Sequence, residues 1–374
     1  MGDGDLTAPS THAVASSQRQ LTSPTIYDVA RAAGVAIGTA SKALNRQGKL
    51  RPETRARVQD AAERLGFRPN DLAQSLLRGR SFTVGLLTTD SYRRFSIPLM
   101  QGIEDALGAA RIAVFLCDAR DDPVRERHYI ETLLSKRVDG IIVTARRADP
   151  RAPIDVGMAR VPVVYALTQV TEGDALCLLP DDAQGGRLAA AQLVRAGRRH
   201  LAHITGPDRF ESVRLRRAGM DQALAAHGVS VPAERVLANS WHELWGHEAV
   251  ARLFAIDPAI DGIFCGNDVI ARGVVDALRE RRVRVPDDIA IVGFDNWEII
   301  AAATRPPLTT VDLRLHDLGR ETGLRLRAMI DGAQASGIVR LPCSLVVRDS
   351  CGAPMGDMAL PEEAHGDATS IDIR

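Results

Sequence analysis

The sequence predicts two kinds of fold in one chain: an all-α helix-turn-helix headpiece, then an α/β body of two doubly wound parallel sheets. Three observations carry this reading. Residues 25–45, TIYDVARAAGVAIGTASKALN, hold two short helical patterns parted by a glycine turn. From Phe82 onward, apolar runs of strand length alternate with helical patterns, the mark of parallel strands covered by helices on both faces. That alternation occurs twice in succession, which divides the body into two lobes with a cleft between them.

Residues 1–24 are rich in Ser and Thr and contain no apolar run, so they read as a disordered tail rather than a signal peptide or an anchor. In the first helix Thr25, followed three residues later by Asp28, approximates a capping box. Ile26, Val29, Ala30 and Ala33 form its apolar stripe. Gly34 gives the turn an unhindered backbone, and Val35 plugs the angle between the helices. The second helix, Ile37 to Leu44, turns Ala40, Ala43 and Leu44 inward and leaves Ile37, Gly38, Thr39, Ser41, Lys42 and Asn45 facing out. Hydroxyl, amide and ammonium groups on such a face suit phosphate oxygens and base edges in a major groove. The plainer reading is a helical hairpin with a solvated face. Charge favours the first: from Thr25 to Arg80 eleven basic side chains stand against five acidic ones, in a chain whose 47 Lys and Arg balance 47 Asp and Glu overall.

Pro52 opens a third helix that runs to Leu65, with Val58, Ala61, Ala62 and Leu65 inward and Gly66 as its stop. The headpiece thus spans 25–69. Asn70 caps one short helix within a segment over 70–81, too short to be stable alone in water; a plain linker helix is the alternative.

In the body, FTVGLLT, IAVFLC, DGIIVT and VPVVYAL read as strands, with helices over Pro98–Ala110 and Pro123–Lys136 between the first three. The second series places helices at Ala183–Ala196, Arg216–His227, Glu243–Ile256 and Asp268–Arg281, around the strands HLAHITG, DGIFCG and IAIVGF. Ligands of such sheets bind beyond the carboxyl ends of the strands, which here are Thr88–Asp90, Thr144–Arg147, Gly206–Ser212, Gly266–Asp268 and Phe294–Asn296. Residues 350–374 are polar and rich in Gly, Asp and Glu, and read as a flexible tail. Cys117, Cys177, Cys265, Cys343 and Cys351 are odd in number and lack a C-x-x-C spacing, which fits a reducing compartment.

The motifs TIYDVARAAGV, TASKALN, RPETRARVQDAAERLGFRPNDLAQSL, SVRLRRAG, FCGNDVIARG, VPDDIAIVGFDN and PPLTTV, in this order, resemble the lactose-repressor (LacI/GalR) family of bacterial transcription regulators over about residues 25–349. The resemblance implies a periplasmic-binding-protein-like body over 82–349, with lobe 1 about 82–181 and 311–340 and lobe 2 about 182–310 and 341–349. It implies a homodimer that reads a near-palindromic double-stranded DNA operator, needs no cofactor or metal, touches no membrane and works in the cytoplasm on the nucleoid. By the same analogy Ile37, Gly38 and Lys42 sit where members read bases. Thr25, Tyr27, Thr39, Ser41 and Asn45 hold phosphates, Asn70 caps the hinge helix, and Leu76 wedges into the minor groove. Gly38 departs from the pattern, since it offers no side chain to a base. Leu76 also suits simple packing against its symmetry mate.

For the effector the resemblance aligns Arg216 and Asp295 with the grip on ligand hydroxyls, Trp241 with the stacking aromatic and Asn267 with a reaching amide. Thr89, Asp90, Phe95 and Arg146 belong to the rim. A surface arginine and a loop-covering aromatic are the plainer readings of Arg216 and Trp241. A small uncharged carbohydrate that releases a repressor is the first expectation, a nucleobase or nucleoside the second. A sugar-binding receptor would have no use for residues 25–80. An enzyme lacks support, since G-x-G-x-x-G, the phosphate loop and G-x-S-x-G are missing from the sequence. His200 and His203, three apart on a strand, face opposite ways and do not read as a metal pair.

Overall fold

The computed structural model describes residues 24–45, 48–68, 80–91, 94–146 and 148–352, which fall into two compact units divided between residues 79 and 80. The amino-terminal unit holds helices α1 (Ile26–Ala32), α2 (Ile37–Leu44) and α3 (Pro52–Leu65). Its capping box forms: the Thr25 N–H and hydroxyl both donate to the Asp28 carboxylate, at 2.9 and 2.7 Å. Those bonds, the backbone one foremost, hold that carboxyl below its ordinary value. Val29, Ala30, Ala33, Ala40, Ala43, Val58, Ala61 and Ala62 make a core of small side chains, so the helices approach closely. Leu65, expected inward, is instead 39% exposed. Gly66 turns left-handed at φ 65°, the Phe67 N–H bonds back to the Ala62 carbonyl at 2.9 Å, and the Phe67 ring covers the end of the core in its place.

The second unit contains two six-stranded sheets. Lobe 1 uses β1 (Thr83–Thr88), β2 (Ala113–Asp118), β3 (Gly140–Thr144), β5 (Val163–Ala166), β7 (Leu176–Pro180) and β13 (Gly337–Leu341), all parallel, in the order β13-β7-β5-β3-β1-β2. Lobe 2 uses β8 (Leu201–Thr205), β9 (Val236–Ala238), β10 (Gly262–Cys265), β11 (Ala290–Phe294), β12 (Thr309–Asp312) and β14 (Ser344–Val346), in the order β14-β12-β11-β10-β8-β9 with only β14 antiparallel. A small ribbon pairs β4 (Pro150–Arg151) with β6 (Gln169–Val170). Strands β3, β7, β8, β10 and β11 are buried at every position, as strands covered on both faces must be, whereas the edge strand β2 exposes Ala113 and Phe115.

Three helix pairs cover the sheets at glycine contacts made from both sides. A Cβ at Gly102 would lie 1.9 Å from the His316 carbonyl oxygen and one at Gly319 2.0 Å from that of Leu99, which locks helix Ser96–Gly108 to helix Leu315–Ile330. Gly186 and Gly219 do the same for Asp182–Arg195 and Glu211–Ala225, and Gly246 and Gly273 for Glu243–Ile256 and Asp268–Glu280.

The chain crosses between lobes after Asp181, at Leu313–Arg314 and at Pro342. β12 keeps the chain in lobe 2 through Asp312, two residues beyond the expected change at 310. The helix expected from Arg216 starts at Glu211, because its polar first turn, ESVR, carries little apolar periodicity. Residues 350–352, expected to belong to the tail, are packed against lobe 2, and residues 353–374 lie outside the described residues. Ser350 and Cys351 are buried, and the Ser350 hydroxyl donates to the Ile291 carbonyl at 2.7 Å while accepting from the Thr309 N–H at 2.8 Å. Of the segment 70–81, residues 70–79 lie outside the described residues; Arg80 and Ser81 are non-helical and tied to lobe 1, Arg80 to Asp331 at 2.8 Å and the Ser81 N–H to Asp139 at 2.7 Å. Among the described residues no helix is long and apolar enough to cross a membrane.

Candidate functional site

On the headpiece, α2 buries Ala40 and Ala43, and this alone decides what faces out. Ile37, Gly38 and Lys42 are exposed, with Thr39, Ser41 and Asn45 half-buried beside them; Asn45 Nδ2 donates to the Ser41 hydroxyl at 3.4 Å. Thr25 and Tyr27 are exposed on α1, Tyr27 to 61%. Nothing lies within 4 Å of where a Gly38 Cβ would be, and its φ is ordinary. The headpiece core therefore makes no demand for glycine at this position. Asn70 and Leu76 lie outside the described residues.

In the body the carboxyl ends of the two sheets face each other, as the contacts between their loops show. Beyond β3 and β5, Asp149 accepts from the Glu211 N–H at 2.9 Å and Gln169 Nε2 donates to the Glu211 carboxylate, with Arg340 at 3.6 Å. Beyond β1, Arg94 donates through Nη2 to Asp295, which follows β11. Beside the second of these contacts lies a cavity of about 730 Å³ lined by Arg94, Phe95, Asp295, Trp297, Asp312 and Arg314 among others.

The lobe 2 wall is a bonded set of charges. Close packing at Gly186 and Gly219 brings Asp182 against Arg216, whose Nε donates to the carboxylate at 2.7 Å. Arg216 Nη1 donates to the Gly266 carbonyl at 2.7 Å, its plane lies 3.7 Å from the Phe294 ring centroid, and Nη2 stands 3.7 Å from Asp295. Burial raises the Asp182 carboxyl above its ordinary value against the pull of Arg216. Asp268 accepts from the Thr310 hydroxyl at 2.5 Å and the Trp297 N–H at 2.7 Å. Burial, with Asp295 nearby, pushes its carboxyl up to about 7. Asp295 and Asn296 both adopt positive φ, 99° and 46°. That strained pair is held by the Asp295 N–H on the Val311 carbonyl, 2.8 Å, and by Asn296 between Asp312 and Arg348 at 3.0 and 2.9 Å.

Trp241 is half-buried over Gly206, where any Cβ would lie 2.2 Å from the indole, and is stacked on Phe210 at 6.3 Å and 25°. Asn267 is buried, but its Oδ1 caps the helix that follows, accepting from the Ile270 N–H at 2.7 Å; only the amide nitrogen remains for a ligand. On lobe 1, Asp90 is buried and accepts the Phe95 and Ser96 N–H groups at 2.8 and 3.0 Å, so it fixes the start of a helix. Thr89 and Phe95 are half-buried, while Arg146 turns to Asp121 at 2.6 Å rather than toward Asp295. Thus Phe95 and Asp295 line the cavity and Arg216 stands behind it at Asp295, whereas Thr89, Asp90, Arg146, Trp241 and Asn267 do not line it. Arg94 and Trp297 went unforeseen: neither lies in an apolar run, and each acts through a partner far along the chain. Among the described residues no group of His, Cys, Asp and Glu is arranged to hold a metal ion.

A helix-turn-helix unit joined to a two-lobed cleft of this kind defines a ligand-responsive, DNA-binding transcription regulator. Residues 25–70 match the model of the bacterial regulatory proteins, lacI family, and residues 190–351 that of the periplasmic binding protein-like domain. Catabolite control protein A of Priestia megaterium is 31% identical over 329 residues, 87% of this chain and 98% of its own. The ribose operon repressor of Escherichia coli strain K12 is 32% identical over 296 residues, 79% of this chain and 89% of its own. Among solved structures, the lac repressor dimer bound to operator and the anti-inducer ONPF superposes with a TM-score of 0.75 at 26% identity, covering 88% of this chain and 99% of that one. The chain belongs to the lacI family of bacterial regulatory proteins, whose members in this comparison are transcriptional regulators rather than enzymes.

Proposed function

We propose that the chain is a homodimeric repressor of a near-palindromic operator, released when a small uncharged carbohydrate enters the cleft. One observation carries the choice of ligand. Ser96, Thr144 and Thr205, at the start of the helix after β1 and at the carboxyl ends of β3 and β8, have buried hydroxyls with no hydrogen-bond partner among the described residues. Buried hydroxyls without partners are costly, and a polyhydroxylated ligand supplies both donors and acceptors. Next to Thr205, over Gly206, Trp241 offers an indole face for the apolar side of a sugar ring, and Asp295 on the same lobe a carboxylate for paired hydroxyls. The relative named for the ribose operon supports the same class. A nucleobase is the second reading, favoured by the near-parallel rings of Phe210 and Trp241.

On the headpiece, Lys42 and Ile37 suit guanine acceptors and a thymine methyl, and the open Gly38 lets the helix approach the groove closely. Asn70 takes its capping role from the sequence and Leu76 its wedging role from the family resemblance, both lying outside the described residues. Ligand in the cleft shifts one lobe against the other and so moves Arg80, the point at which lobe 1 meets the chain that leads to the headpiece. A hundredfold change in operator affinity requires about 2.7 kcal/mol of coupling, with the reciprocal effect on ligand affinity. A thermal-shift screen of the full chain against carbohydrates and nucleosides tests the reading, since a ligand at a hundred times its Kd adds about 2.7 kcal/mol. The stabilising sugar should then release a retarded palindromic duplex. Stabilisation by nucleosides alone would reverse the choice.

A further inference from the structure

Two arginines reach Asp295, and they are held differently. Arg216 belongs to the same lobe as Asp295 and commits Nε and Nη1 to fixed partners within it. Arg94 comes from the opposite lobe, in the loop ahead of the helix Ser96–Gly108. Its Nη2 donates to Asp295, and its guanidinium lies 4.9 Å from the Phe95 ring centroid and 4.8 Å from that of Trp297. Its Nε is buried with no partner among the described residues. One carboxylate and the Trp297 ring, both from lobe 2, therefore supply most of what holds this cation. Such a contact lasts only while the lobes are together.

Arg94 holds the carboxylate that the effector is read as needing. Arg94, Phe95, Asp295 and Trp297 all line the 730 Å³ cavity, and Arg94 takes the Asp295 oxygen that Arg216 does not approach. In a guanidinium that were part of the fixed scaffold the inner donors would be satisfied, as Nε and Nη1 of Arg216 are; the buried Nε of Arg94 has no partner among the described residues, and its Nη2 reaches across to the other lobe. We propose that Arg94 is a built-in occupant of the effector site: its guanidinium fills the Asp295–Trp297 end of the cleft and braces the lobes until an effector displaces it. This rests on reading the cleft as the effector site. The displaced cation keeps its stack on Phe95, which travels with it on lobe 1, so the arm stays poised to return. Apparent effector affinity is lowered by the fraction of molecules in the latched form.

The test uses the full chain, with Arg94→Ala and, should that variant lose its cooperative melt, Arg94→Gln. Methylguanidinium chloride, titrated against sodium chloride at equal ionic strength, is the first probe. The expected result is a saturable rise in melting temperature and a change in indole emission for Arg94→Ala, none for the wild type, and none for Arg94→Ala combined with Asp295→Asn. Trp297→Phe in the Arg94→Ala background should remove the emission change. No saturable response in Arg94→Ala would overturn the proposal.

The second probe is the carbohydrate that stabilises the wild type. It should bind Arg94→Ala about tenfold tighter, the factor expected when the latched form holds about nine-tenths of the molecules. Equal or weaker binding by the variant would also overturn the proposal. A methylguanidinium response with no carbohydrate binding to either protein would end the carbohydrate reading and leave the occupant standing.

Discussion

The second lobe brings to the cleft charges already bonded to one another, with the Thr205 hydroxyl beside them, whereas the first brings Asp90 bonded to its own backbone, Arg94 bonded across to Asp295, and two hydroxyls without partners among the described residues. Arg216, Asp182 and Gly266 form one linked set, and Asp268, Thr310 and Trp297 another, all within lobe 2. On lobe 1, Asp90 serves two backbone N–H groups, and the Ser96 and Thr144 hydroxyls stand without partners among the described residues. A preset wall fixes the orientation of whatever enters; a wall of unpaired groups gains most when something does. The difference assigns orientation to lobe 2 and closure to lobe 1.

The largest effect is expected at Arg216. Arg216→Ala strands Asp182 and Asp295 near each other inside lobe 2, and should cost about 3–5 kcal/mol. Urea unfolding followed by indole fluorescence measures it, because Trp241, Trp245 and Trp297 all lie in that lobe; a loss below about 1 kcal/mol would mean the wall is not preset.

His203 makes the stability of lobe 2 depend on pH. Burial pushes it down to about 4, with its Nδ1 on the Phe264 carbonyl at 2.9 Å and its ring stacked on Phe264. The unfolded chain takes up this proton near pH 6.5 and the folded chain does not. The stability it contributes is therefore complete above about pH 6.5 and falls by about 3 kcal/mol as pH drops to about 4. His203→Gln should flatten that part of the stability curve, and an unchanged slope would show that the proton goes elsewhere.

Effects on lobe 1 should be smaller. Asp90→Ala removes the carboxylate at the head of the helix Ser96–Gly108 and should cost about 1 kcal/mol by thermal denaturation. Arg146→Ala, which breaks a half-exposed pair with Asp121, should stay within about 0.5 kcal/mol. If Arg146→Ala instead weakens binding of the stabilising sugar more than tenfold, the rim expected from the sequence is restored and lobe 1 also orients the ligand.

Strands were legible because burial on both faces writes an uninterrupted apolar run, as in GIIVT and AIVGF. The headpiece was legible because Ala40 and Ala43 leave one way for α2 to pack. Leu65 misled, since its spacing is correct but the backbone reverses at the next residue and hands its place to Phe67. Asn267 was visible as a polar group at a strand end, yet its oxygen serves the helix cap. Arg94 and Asp295 are 201 residues apart, and no periodicity couples a loop in one lobe to a turn in the other. The edge strands β9 and β14, of three residues each, are shorter than the windows in which alternation can be read, whereas β7, β12 and β13 went unread at lengths no shorter than strands that were read.

The three passages of chain between the lobes, after Asp181, at Leu313–Arg314 and at Pro342, have one further effect. A single tether would let the lobes swing freely, whereas three side by side act like the pins of a door: sliding and splaying are blocked and one swing is left. The helices behind those pins are clamped backbone to backbone at their glycines, so each lobe turns as a plate. Whatever closes this door is therefore felt, in one fixed direction, at the Arg80 end of the first plate, where the chain departs toward the headpiece.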